Sequence, residues 1–217
     1  MELHEIEGLI KDAVRDADLR PEEIPSIDLY VDQITSLTCD KLKEGSARFQ
    51  DRILTKTMIN NYSKDGLISP IKGKKYSKDH IIQMLLVYAL KNTLSIGEIN
   101  RILQNVYEQP DFTPEMLEQT YCRFLDIKAL EREAAWKGFC HLVEQTNLDV
   151  SDDADYFTLI LSLSAASSYL KTMTQALLEA KYPEIDPEKE QQVKDELKRQ
   201  KKELKKESKR QKKEVTA

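Results

Sequence analysis

The chain has 217 residues, 40% of them hydrophobic and 33% charged, with only 6 Gly and 7 Pro. That is enough for one good core, or for a small module with a helical extension. It holds too few turn-formers for a many-stranded β fold. The three cysteines, Cys39, Cys122 and Cys140, are widely spaced without a CxxC pair, which excludes a disulfide framework or a zinc finger and suits a reducing compartment.

The formal net charge of −5 conceals a strong asymmetry. Residues 48–78 carry 8 Lys/Arg against 2 Asp/Glu, whereas residues 1–47 carry 5 against 12 and residues 79–183 carry 8 against 15. A polyanion is therefore steered to the basic island, or to the terminal segment 198–217 with its 10 Lys/Arg and 3 Asp/Glu. The start, Met1–Glu5, has no basic leader followed by an apolar run, and no stretch of about 18 residues is continuously apolar. These features predict a cytoplasmic, nucleoid-associated protein without a membrane anchor.

Leu3, Ile6, Leu9, Ile10 and Val14 line one face of a first helix. Pro21 and Pro25 break the chain. Ser26 is expected to cap a second helix burying Leu29, Ile34, Leu37 and Leu42 and ending at Gly45-Ser46. Thr55 caps a short third helix that stops at Gly66. The following segment, Leu67–Tyr76, has two short apolar ends around Lys72-Gly73-Lys74, the pattern of a small hairpin or wing. Ser77 opens a fourth helix whose Ile81–Leu90 stretch is apolar nearly all round and so belongs at the centre. Ser95 and Glu98 form a capping box for a fifth, with Ile99, Ile102, Leu103, Val106 and Tyr107 on one face. After Gln109-Pro110-Asp111, residues of about 115–145 and 153–181 read as two long helices joined by an acidic turn. From Glu188 the chain is Lys-, Glu- and Gln-rich, without a sustained heptad. The predicted organisation is an N-terminal helix (1–23), a reader module (24–110), a helical packing and dimerisation region (111–183) and a charged tail (184–217). The predicted class is all-α, mainly helical, with a small β-hairpin wing.

The third helix is two-faced. Met58, Ile59 and Tyr62 share an inward arc, while Lys56, Thr57, Asn60, Asn61 and Lys64 occupy the opposite one without a carboxylate. Lysine neutralises phosphates, asparagine can pair with adenine in the major groove, and threonine can meet a phosphate or a thymine methyl. Lys72, Lys74 and Lys75, with Tyr76, sit on the wing, where a tight loop can straddle the nucleic-acid backbone.

Several stretches carry a family resemblance. Met58–Ile68, with an aromatic shortly before Gly-Leu-Ile, resembles the recognition-helix stretch of MerR-type regulators. Lys75-Tyr76-Ser77 resembles their wing end, and Leu94–Ile99 their box opening the helix after the buried one. Leu-Tyr-x-Asp-Gln at Leu29–Gln33, Leu54–Tyr62 and Lys-Lys-Tyr-Ser at Lys74–Ser77 are similar to the bacterial domain of unknown function 1836, over about Leu29 to Leu103. The resemblance implies a winged helix-turn-helix plus a C-terminal helical extension, acting as a homodimer on double-stranded DNA in transcription regulation, without a cofactor. Two departures from the MerR pattern stand out. Asn60-Asn61-Tyr62 replaces the usual Arg-Tyr-Tyr, and Gly45–Leu54 is longer than a tight turn.

Other constellations carry less. Cys122, Cys140 and His141 match no metal-site spacing, and Asp149, Asp152, Asp153 and Asp155 suit helix capping better than calcium. No phosphate loop, nucleophile elbow or zinc-protease helix occurs, so no enzyme is expected. Lys198–Lys213 reads as a soluble charged tail. The rival to DNA reading is a helix-turn-helix used as a protein-interaction adaptor, whose basic face meets an acidic partner.

Overall fold

A computed structural model describes residues 3–47, 53–71 and 73–184. Lys72 and the tail beyond Glu184 lie outside the described residues. Among those described there are seven α-helices and one two-stranded antiparallel sheet. In chain order these are α1 (Leu3–Ala13), β1 (Leu29–Tyr30), α2 (Val31–Leu42), α3 (Lys56–Lys64), β2 (Lys75–Tyr76), α4 (Lys78–Leu90), α5 (Ile96–Tyr107), α6 (Pro114–Thr146) and α7 (Asp153–Lys181). The described residues up to Leu178 form one compact unit.

The helices start where the caps stand. Thr55 Oγ1 accepts the amide of Met58 at 3.3 Å, and Ser95 Oγ accepts that of Glu98 at 3.3 Å. Glu98 returns the favour by accepting the Ser95 amide at 2.7 Å, and this bond holds its carboxyl below the ordinary carboxylate range. Asp152 Oδ1 accepts the amides of Ala154 and Asp155 and opens α7. Helix α6 stops at Asn147, which adopts the left-handed conformation (φ 52°).

One expected start is displaced. Ser26 caps nothing; α2 begins five residues later, at Val31. The residues between are extended because Leu29 and Tyr30 pair with Tyr76 and Lys75. The Tyr30 amide is taken instead by Gln33 Oε1 at 2.8 Å. The sheet is thus a long-range pair between the lead-in to α2 and the far limb of the wing. The near limb, Leu67–Ile68, is buried without a strand partner.

The main core gathers residues from Leu19 to Leu125 around α4, together with Leu178 of α7. Ile81, Ile82, Met84 and Val87 of α4 are fully buried, as the all-round apolar pattern requires. The single buried polar side chain of α4, Gln83, spends both ends of its amide on the wing. Its Oε1 accepts the Ser69 amide at 2.8 Å and its Nε2 donates to Ser69 Oγ at 3.0 Å. A second cluster joins Ile6 of α1, Phe139 of α6 and Leu159 of α7. The segment 16–20 is strapped to α6: Tyr121 donates to the Leu19 carbonyl at 2.9 Å, Lys128 and Arg132 pair with Asp16, and Lys128 also pairs with Asp18 at 2.6 Å.

The α3 terminus depends on Gly66. With φ at +70° it lets the Leu67 amide reach back to the Tyr62 carbonyl at 2.9 Å, and Leu67 and Tyr62 are both buried. A methyl there would meet no atom within 4 Å, so the cost of a side chain is purely conformational. Gly66→Ala is expected to lower unfolding free energy by about 1 kcal/mol, with Gly66→Asn recovering part of it. Urea unfolding checks this through the midpoint at unchanged slope.

Candidate nucleic-acid interface

Helix α3 presents its two faces as its sequence pattern requires. Ile59 and Tyr62 are buried and Met58 is half-buried, while Lys56, Thr57, Asn60, Asn61 and Lys64 are exposed. Its first turn carries no acidic residue, so nothing on the helix itself offsets the positive end of its dipole. Its far end is held by α5, where Asn100 donates to the Asp65 carbonyl at 3.3 Å.

On the wing, Lys74 and Lys75 are exposed and Gly73 turns the tip at φ +78°. Tyr76 is a correction to the expected interface. It is only 3% exposed, packed in the core with its ring edge-on to His80 at 6.1 Å. Strand alternation is the reason: in β2 one side chain faces out and the next faces in, so Lys75 takes the solvent side and Tyr76 the core.

Two further residues enter the interface. The Lys56 ammonium pairs with the carboxylate of Asp32, in the first turn of α2. The Lys75 ammonium stands 5.1 Å from the centroid of the exposed Tyr30 ring, a cation–π contact. Tyr30 and Asp32 flank the β1–α2 junction, so this junction ties the start of α3 to the end of the wing. Helix periodicity is blind to such a contact, because it follows from the β1–β2 pairing. The one trace in the sequence is the Leu29–Gln33 motif. Of the expected cations, Lys64 and Lys74 are exposed and make no ion pair among the described residues, while Lys56 and Lys75 are already oriented by neighbours. An exposed pair such as Lys56–Asp32 is worth little energetically and yields to a stronger anion.

Nothing in this region forms a metal centre. Among the described residues no group of three or more His, Cys, Asp or Glu is arranged to hold an ion, and all three cysteines are free. No helix among them is long and apolar enough to cross a membrane.

The Tyr62 hydroxyl is buried without a hydrogen-bond partner, and burial pushes its pKa up to about 12. The ring is thus what α3 needs from Tyr62. Tyr62→Phe is expected to leave thermal stability unchanged or slightly raised, since it removes an unpaired buried polar atom. Calorimetry that shows a loss of more than about 1 kcal/mol would mean that the hydroxyl has a structural partner.

No curated protein and no solved structure matches the chain. A family model does, over residues 19–124, a span whose ends coincide with the first buried residue of the main core, Leu19, and with the last turn of α6 that enters it, at Phe124 and Leu125. From Leu19 to Phe124 the chain carries a domain of unknown function, DUF1836.

Proposed function

We propose that residues 24–110 act as a MerR-like winged helix-turn-helix that reads duplex DNA in transcription regulation. The observation that carries this reading is the outward face of α3, Thr57, Asn60, Asn61 and Lys64, standing clear of the protein while Ile59 and Tyr62 anchor its back. The α2–α3 pair, followed by a loop closed onto the strand before α2, supports it as well. In this reading Asn60, Asn61 and Thr57 contact bases. Lys56, Lys64, Lys74 and Lys75, with Lys72, contact phosphates. The protein acts at these contacts by binding, not by bond-making chemistry.

A short helix and one loop make few contacts, and two copies on neighbouring half-sites double them. Helix α7 supports a homodimer. From the buried Leu159, the residues Leu163, Ala166, Leu170, Met173 and Leu177 follow at alternating steps of four and three, the 3.5-residue period of a coiled-coil seam. Leu170 and Leu177 are 65% and 74% exposed, so among the described residues no helix faces the seam. A second copy meets the same stripe isologously.

The adaptor reading is favoured by one observation, the exposed Ile27 and Tyr30 beside the carboxylate of Asp32, which suit a protein surface better than a phosphate backbone. Titration of a random duplex pool at about 50 and 200 mM salt separates the two. A reader loses affinity steeply with salt; an adaptor gives no shift even at the lower concentration. Lys74→Ala with Lys75→Ala is expected to weaken all sequences and to flatten the salt slope by about 2 per bound copy. Asn60→Ala should mainly relax the preference recovered by site selection. For the dimer, Leu170→Glu with Leu177→Glu should give a monomer in sedimentation velocity and weaken duplex binding by more than about tenfold. A wild-type protein that already sediments as a monomer at micromolar concentration rejects the α7 pairing.

A further inference from the structure

A cavity lined in part by Leu54, the residue before the α3 cap, is used by no part of the proposed DNA contact. It measures about 320 Å³ and opens between the segment 16–19, α2, α4 and α6. Its walls are mainly apolar, formed by Leu19, Leu54, Leu85, Tyr88, Tyr121 and Phe124. Close-packed interiors rarely leave so large a gap, and an apolar lining holds ordered water poorly. The size falls within the range of small-molecule sites.

The charges around it define what fits. Lys128 is paired with Asp16 and, at 2.6 Å, with Asp18. Lys41 is paired with Glu23 and with Glu44, both at 2.7 Å. The Tyr121 hydroxyl donates to the Leu19 carbonyl, so only its acceptor lone pairs remain for a guest. A carboxylate or an ammonium entering here would have to break one of these pairs and leave a partner unmatched. We infer that the cavity is a binding site for a small uncharged aromatic molecule with no more than a weak hydrogen-bonding edge.

The position gives such a ligand leverage. Leu54 directly precedes Thr55, the cap of α3, and Thr38 and Leu42 line the cavity from the last turns of α2. A molecule wedged there sets the spacing of α2 from α4 and α6, and with it the start of the DNA-facing helix. Regulation of DNA binding in this way rests on the function proposed above. The binding site itself does not.

The test uses the full chain without DNA, labelled in its leucine methyl groups and titrated with indole, indole-3-acetate and tryptamine as neutral, anionic and cationic probes of one shape. The expected result is saturable, sub-millimolar shifts of the Leu19, Leu54 and Leu85 methyls with indole, and binding at least about tenfold weaker for both ions. Shifts confined to the α7 leucines, or no saturation at all, overturn the site. Equal binding of a charged probe overturns the ligand class. Ala89→Phe, which enlarges an exposed lining residue, should abolish the indole shifts with helicity retained. If that variant does not fold, the methyl map of the unaltered chain still decides. Duplex titration with and without saturating indole tests the linkage separately: a change in affinity supports regulation, and identical affinities reject it while leaving the site standing. A chain that binds indole but no duplex overturns the DNA reading alone.

Discussion

Helix α4 must be covered on every side, and the rest of the fold follows from that demand. Its apolar residues are buried or half-buried apart from Ala89, so α3, α6 and the β2 end of the wing are drawn onto it. Gln83 would be costly at such a position if it stayed unpaired. Both ends of its amide are met by Ser69, so the cost becomes a fixed attachment of the wing's near limb. The far limb is attached by Tyr76, buried beside His80.

With both limbs held, only the tip of the wing projects, and with the back of α3 taken by α4, only its polar side is left outside. The proposed interface is thus what remains after the core is satisfied, rather than a separately built surface. The β1–β2 pair adds a detail with electrostatic effect. It brings Tyr30 and Asp32 against Lys75 and Lys56, so two of the cations are pre-oriented, at some loss of net positive charge.

The long helices add to this arrangement at both clusters. The first half of α6 (Leu117, Tyr121, Leu125) completes the main core, and its second half joins α1 and α7 through Phe139. Helix α7 is buried at Leu159 and again at Leu178, with a row of exposed apolar side chains between. A large exposed apolar stripe is unfavourable in water and marks a surface meant to be covered. The cavity beside α2 lies where three helices and the strap at 16–19 meet without filling the space between them.

Much of this was legible in the sequence because it is local. Caps and periodicity act within a turn or two, so Thr55, Ser95 and Glu98, and the breakers Gly66 and Asn147, define helix ends without reference to the rest of the chain. The two faces of α3 and the burial of α4 follow from residue spacing alone. Tertiary structure decided what depends on partners far along the chain. Residues 26–30 do not open a helix because Leu29 and Tyr30 are claimed by β2, and no local signal announces a two-residue strand. Tyr76 turns inward because that pairing sets which side of the strand faces the core. Asp32 reaches Lys56, and Lys128 reaches Asp16 and Asp18, only once the helices have packed. The cavity exists only as the gap left by that packing, which no pattern along the chain records.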